Sequence, residues 1–138
     1  RRKPAYGLHK KALGPVPVPC QEALVMKWFE LRLGRKLDEY AGIYDCLMHG
    51  NVFPFLIGRK PRNKFEEMGR PIPPGSSFDA AFVIFEQNIV LFLRRAARVL
   101  SPEYLFHLDE LLYRRDIPKV IRSFIVLAQV TDPENLTT

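Results

Sequence analysis

Apolar residues in the first third of the chain recur at helical spacing. Over 20–34, Leu24, Val25, Trp28 and Leu31, with Phe29 beside them, fall three and four positions apart, the signature of one buried helix face. Gly34 supplies a stop, since glycine readily takes the left-handed backbone that closes a helix. A second stripe, Leu37, Tyr40, Ala41, Tyr44, Leu47 and Met48, predicts a helix over 37–49 that ends at Gly50-Asn51. The short link 34–36 then predicts an antiparallel helical hairpin.

Periodicity fails over 50–77, which holds Pro54, Pro61, Pro71, Pro73, Pro74 and four glycines. Phe53, Phe55, Leu56 and Ile57 form a short apolar patch suited to docking on the hairpin, and Arg59, Lys60, Arg62 and Lys64 follow it. The third helix has the strongest pattern. Ser76 and Asp79 resemble a capping box, and Phe82, Phe85, Ile89, Phe92, Ala96 and Leu100 mark one face. Val83, Ile84, Val90, Leu91 and Leu93 widen the stripe nearly all round, which predicts a central helix buried by several neighbours. Arg94, Arg95 and Arg98 favour its negative end. Ser101-Pro102-Glu103 opens a fourth helix with the stripe Leu105, Leu108, Leu111 and Leu112. A fifth follows Asp116, with Pro118 in its first turn and Val120, Ile121, Phe124, Ile125 and Ala128 inward. No strand pattern and no repeat emerges. The expected fold is all-α: about five helices, an extended basic N-terminal arm and a long Pro-rich connecting segment. The expected organisation is an arm over 1–19 and one helical domain over 20–138. That domain divides into a hairpin over 20–49, a wrapping segment over 50–77, three helices over 78–130 and a polar tail over 131–138.

The charge is unevenly placed. The 138 residues carry a net +6, yet Arg1, Arg2, Lys3, Lys10 and Lys11 give the first twenty residues five positive charges and no acid. The rest is nearly neutral, so the isoelectric point of about 9.5 belongs mostly to the arm. Pro15, Pro17 and Pro19 alternate with Val16 and Val18, which favours an extended strap. The chain begins at Arg1, and 1–13 share the acid-poor character of a mitochondrial presequence. Pro4 and the later prolines spoil an amphipathic helix, so the segment reads as a retained basic arm. Two cysteines, Cys20 and Cys46, are too few for a disulfide scaffold and read as free thiols. The most apolar stretch, 80–93, is interrupted by Glu86, Gln87 and Asn88 and is shorter than the roughly 20 residues a membrane span needs.

Candidate chemistry is sparse. Cys46-x-x-His49 has ligand-like spacing on a helix, but a structural zinc site needs four ligands, so the pair reads as a core thiol beside a helix-end histidine. Cys46, His107 and Asp109 compose a triad only as an inventory, with no local signature. Asp38-Glu39, Glu66-Glu67 and Asp109-Glu110 are adjacent pairs, which point apart on a helix and suit salt bridges. The glycines fit no phosphate-loop spacing. Leu112-Tyr113-Arg114 resembles the tripeptide of the mitochondrial LYR-motif family, three-helix bundles with the motif near their start and further basic residues and a Phe after it. Arg115, Arg122 and Phe124 follow here. Only 26 residues remain after Leu112, and Pro118 interrupts the expected helix, so the tripeptide is read as coincidental and no acyl-carrier partner is carried over.

These readings point to a non-enzymatic protein with no catalytic, cofactor-binding or metal residues. The expected function is that of an accessory, supernumerary subunit of a large mitochondrial assembly, a respiratory-chain or ATP-synthase complex at the matrix face of the inner membrane or in the matrix. Its arm and loop (Arg1, Arg2, Lys3, Lys10, Lys11, Arg59, Lys60, Arg62 and Lys64) would staple neighbouring protein subunits, with rRNA or an anionic membrane surface as other acidic partners and no small-molecule substrate. The alternative is a mitochondrial ribosomal protein that grips rRNA through the arm and the 59–64 loop.

Overall fold

The computed structural model describes residues 18–38, 41–49, 52–57 and 69–132, with side chains from Gln21 onward and without those of Phe55 and Ile57. Helices are the only regular secondary structure among the described residues, which contain no strand. The elements are α1 (Val18–Leu33), α2 (Ile43–His49), α3 (Phe53–Ile57), α4 (Phe78–Ala96), a 3-10 turn (Pro102–Tyr104), α5 (Leu108–Leu112) and α6 (Ile117–Thr131). Among them no helix is long and apolar enough to cross a membrane. The arm, from 1 to 17, lies outside the described residues. α1 begins at Val18, two residues inside the expected arm.

The central helix is α6 rather than α4. Val120, Ile121 and every residue from Ser123 to Ala128 are buried. Asp116 caps α6 by accepting from the Lys119 N–H at 3.2 Å, and Pro118 sits in the first turn, where its missing N–H leaves no gap. α4 was expected at the centre because its apolar residues surround it. Instead Val83 is half exposed and Phe78 is 66% exposed, so α4 has an outer face despite its composition.

Aromatic rings connect the layers. Phe124 of α6 meets Phe29 of α1 edge-on with centroids 5.1 Å apart, and Phe92 of α4 also at 5.1 Å. Phe106 lies at 5.9 Å and Phe53 of α3 at 6.4 Å. Phe53 and Phe106 also contact Phe92, at 5.4 and 6.0 Å. The apolar patch after Asn51 therefore forms a short helix whose Phe53 docks mainly on α4 and α6, not on a hairpin.

The expected hairpin is replaced by a helix and a strap. Leu37 and Asp38 are not helical, and the second helix starts only at Ile43. Glu30 accepts the Leu37 N–H at 2.9 Å, and Glu22 accepts the Ile43 N–H at 2.8 Å. These glutamates are eight positions apart, about two helical turns, so they share a face of α1 and lead the chain back along it. The Ile43 N–H is a first-turn donor that no intrahelical carbonyl can satisfy, and a carboxylate there also suits the helix dipole. α1 instead packs along α6, and the Trp28 indole N–H donates to Asp132 at 3.1 Å.

Two other expectations change. The cap of α4 is Ser77, whose Oγ accepts from the Ala80 N–H at 3.2 Å, while Ser76 Oγ donates to the Pro73 carbonyl. α4 ends at Ala96, so Arg94 and Arg95 occupy its last turn and Arg98 lies beyond it. The expected fourth helix is broken into the 3-10 turn and α5. Leu105 and Phe106 are consecutive and both buried, and the extended backbone at Leu105 interrupts the helix between the 3-10 turn and α5. α5 restarts with the His107 N–H donating to Glu110 at 2.7 Å. In the Pro-rich segment, buried Asn88 gives and takes hydrogen bonds with the Arg70 backbone, both at 2.8 Å, and so fastens 69–77 to α4.

Because four elements meet at one ring, Phe124→Ala should destabilise the protein by about 3–5 kcal/mol in urea denaturation. Phe124→Leu, which keeps most of the volume, should cost clearly less. Equal losses would mean that the ring contacts do not hold the layers together.

Candidate functional site

All nine residues expected to bind partners, Arg1, Arg2, Lys3, Lys10, Lys11, Arg59, Lys60, Arg62 and Lys64, lie outside the described residues. The other sequence candidates are placed. Cys46 is buried on α2 while His49 is exposed at its end. Burial pushes the Cys46 thiol from 9.0 up to about 11, with smaller contributions from Asp45, Asp38, Glu22 and Glu30. A thiol held neutral is a poor nucleophile and a poor ligand, because both roles belong to the thiolate. Among the described residues no three His, Cys, Asp or Glu side chains converge on a metal position. His107 is exposed at the head of α5, and no hydrogen bond joins it to Cys46. Asp109 and Glu110 act as ion-pair partners, with Arg115 at 3.4 Å and Lys119 at 3.2 Å.

The structure brings together a different set of residues. The first turns of α4 and the C-terminal end of α5 present an aromatic cluster to the surface. Phe78 stacks on Phe82 with centroids 5.6 Å apart, and Phe82 contacts Tyr113 at 6.0 Å. Phe78 and Tyr113 are 66% and 58% exposed. Phe82 is half-buried against the core, while Phe78 and Tyr113 keep most of their surface open to water. Arg114 follows with φ of 58°, the left-handed conformation usually left to glycine just past a helix end. Its N–H donates to the Leu111 carbonyl at 3.1 Å, closing α5.

The Arg114 side chain compensates for that backbone. Its guanidinium carbon lies 3.9 Å from the centroid of the Tyr44 ring, a close cation–π contact, and Nη2 is 3.9 Å from Asp45. Tyr44 in turn donates its hydroxyl to the Leu112 carbonyl at 3.2 Å and packs edge-on against Phe85 at 5.4 Å. Between α2, the start of α4 and the end of α5 lies an open groove of about 310 Å³, with Tyr44, Met48, His49, Phe78, Tyr113 and Arg114 among its lining. Arg115 reaches over Tyr113 at 5.6 Å.

This arrangement offers rigid aromatic surface and two guanidinium groups, the residue types enriched where proteins meet. Phe78 and Phe82 were legible only as part of a helical stripe, and Tyr113 and Arg114 only as part of a coincidental tripeptide. The signal that they share a surface is tertiary. No protein-family model, curated protein or solved structure matches the chain.

With its pKa raised to about 11, Cys46 should be on the order of one part in a thousand thiolate at pH 8. Alkylation followed by peptide mass spectrometry should therefore find Cys46 protected in the native protein and labelled in urea. The proton is held more tightly in the folded state. This contribution to stability is therefore complete below pH 9 and lost as pH rises toward 11, and Cys46→Ala should lack that decline. Rapid native labelling at pH 8 would contradict the burial argument.

Proposed function

We propose that the chain is a non-catalytic accessory subunit of a large mitochondrial assembly, a respiratory-chain or ATP-synthase complex at the matrix face of the inner membrane or in the matrix. The observation that carries the docking role is the cluster of exposed Phe78 and Tyr113 on half-buried Phe82, beside Arg114 and Arg115. Exposed aromatic surface of this kind is characteristic of interaction sites. The mitochondrial placement is supported by the basic, acid-free first twenty residues. The arm and the 59–64 loop carry the charge with which a subunit straps acidic neighbours.

The test is gradient sedimentation of the endogenous protein from gently solubilised mitochondria, with and without ribonuclease. The expected result is migration with an inner-membrane complex that ribonuclease leaves intact. A tagged Phe78→Asp variant should leave that position while keeping its helical circular dichroism, because an acid in the first turn of α4 suits the helix dipole. Collapse of the particle under ribonuclease would replace this reading with the ribosomal one. A peak at monomer size would overturn both.

A further inference from the structure

We propose that the groove between α2, the start of α4 and the end of α5 docks a linear acidic peptide segment of a partner protein. In this reading an apolar side chain of the peptide packs between Phe78 and Tyr113, and an adjacent carboxylate meets Arg114. The inference rests on the docking role proposed above and adds the chemistry of the partner.

The argument starts from Arg114. Glycine is the residue that closes a helix at a φ of 58° without strain, so an arginine there is held by its side chain. Stacking on Tyr44 at 3.9 Å occupies the flat face of the guanidinium and leaves its edge, where the N–H donors lie, free to bond. Asp45 takes up little of that edge. Its oxygen is 3.9 Å from Nη2, beyond hydrogen-bond reach, and the two side chains are 60% and 53% exposed. Arg115 is similar: one nitrogen faces Asp109 at 3.4 Å, with both side chains about half exposed or more. Exposed pairs of this kind are weak and exchange readily.

A planar carboxylate arriving in the plane of the guanidinium can take two donors at once, a stronger contact than either present pair. The aromatic surface beside it supplies the other half of the recognition. A peptide side chain covering Phe78 and Tyr113 would shield the new ion pair from water and strengthen it. The groove volume of about 310 Å³ suits one or two side chains rather than a folded domain.

The test pans a phage-displayed library of random short peptides against the full chain. Enriched peptides are resynthesised with fluorescein and titrated by anisotropy. The expected consensus pairs an aromatic or large aliphatic residue with a neighbouring acid. Arg114→Gly is the informative variant, since it removes the guanidinium and relaxes the backbone at the same time. It should weaken binding on the order of tenfold, as should amidation of the peptide acid, and the two losses should not add. Phe78→Ala should weaken acidic and amidated peptides alike, and Val99→Ala, at an exposed apolar position elsewhere, should change nothing.

A basic or uncharged consensus, or no enrichment, overturns the proposal. So does tighter, Arg114-dependent binding of a fluorescein-labelled oligouridine, which would make the groove a nucleic-acid site. Peptides that need Phe78 but ignore Arg114→Gly also overturn the acidic partner, while the docking role tested by sedimentation survives. Loss of that docking role would show instead as a monomer peak in the gradient.

Discussion

The fold depends on the ring of Phe124. Six short or medium helices would each be marginal in isolation, because helix nucleation is unfavourable and short helices gain too few hydrogen bonds to offset it. What fixes them relative to one another is the meeting of Phe29, Phe53, Phe92 and Phe106 on a single side chain of α6. A core of this kind tolerates little shrinkage, since a lost ring leaves several neighbours facing one void. At the edge of that core Phe82 is half-buried, and it carries Phe78 and Tyr113 at the surface beside it.

Tyr44, like Phe82, ties that surface to the core. Tyr44 touches Phe85 with its edge, donates its hydroxyl to the end of α5 and carries Arg114 on its face. The geometry of the groove therefore rests on core packing through Tyr44 and on the turn at Tyr113 and Arg114 that ends α5. This fits a binding site with little to reorganise when a partner arrives, which lowers the entropy lost on association.

The all-α class, α1, α4 and α6 were legible because each is long enough for a stripe to repeat several times. Asp116 with Pro118 marked the start of α6 for a local reason, and local reasons survive folding. The strap was not legible: Leu37 and Ala41 fit a helical stripe with Tyr44, and the bonds that hold the Leu37 and Ile43 N–H groups come from Glu30 and Glu22 on another helix. The break at Leu105-Phe106 was hidden for a similar cause, since burying two consecutive large side chains is a demand of the whole core. The candidate site was the least legible part. A stripe says that Phe82 has an apolar environment, but not that Tyr113 supplies it or that Phe78 lies at the rim.

The hydrogen bond from Trp28 to Asp132 spans 104 positions of sequence, and α1 rests along α6 for most of its length. A chain made from its N-terminus therefore completes α1 long before the partner of α1 exists. At roughly 5–20 residues per second, Val25, Trp28 and Phe29 wait several seconds or longer with their apolar face uncovered. During that interval the nascent chain is a client for whatever shields hydrophobic segments, and its vulnerability ends only when α6 has emerged. The order of synthesis thus runs against the order of stabilisation: α1 is made well before α6 and is held only once α6 exists.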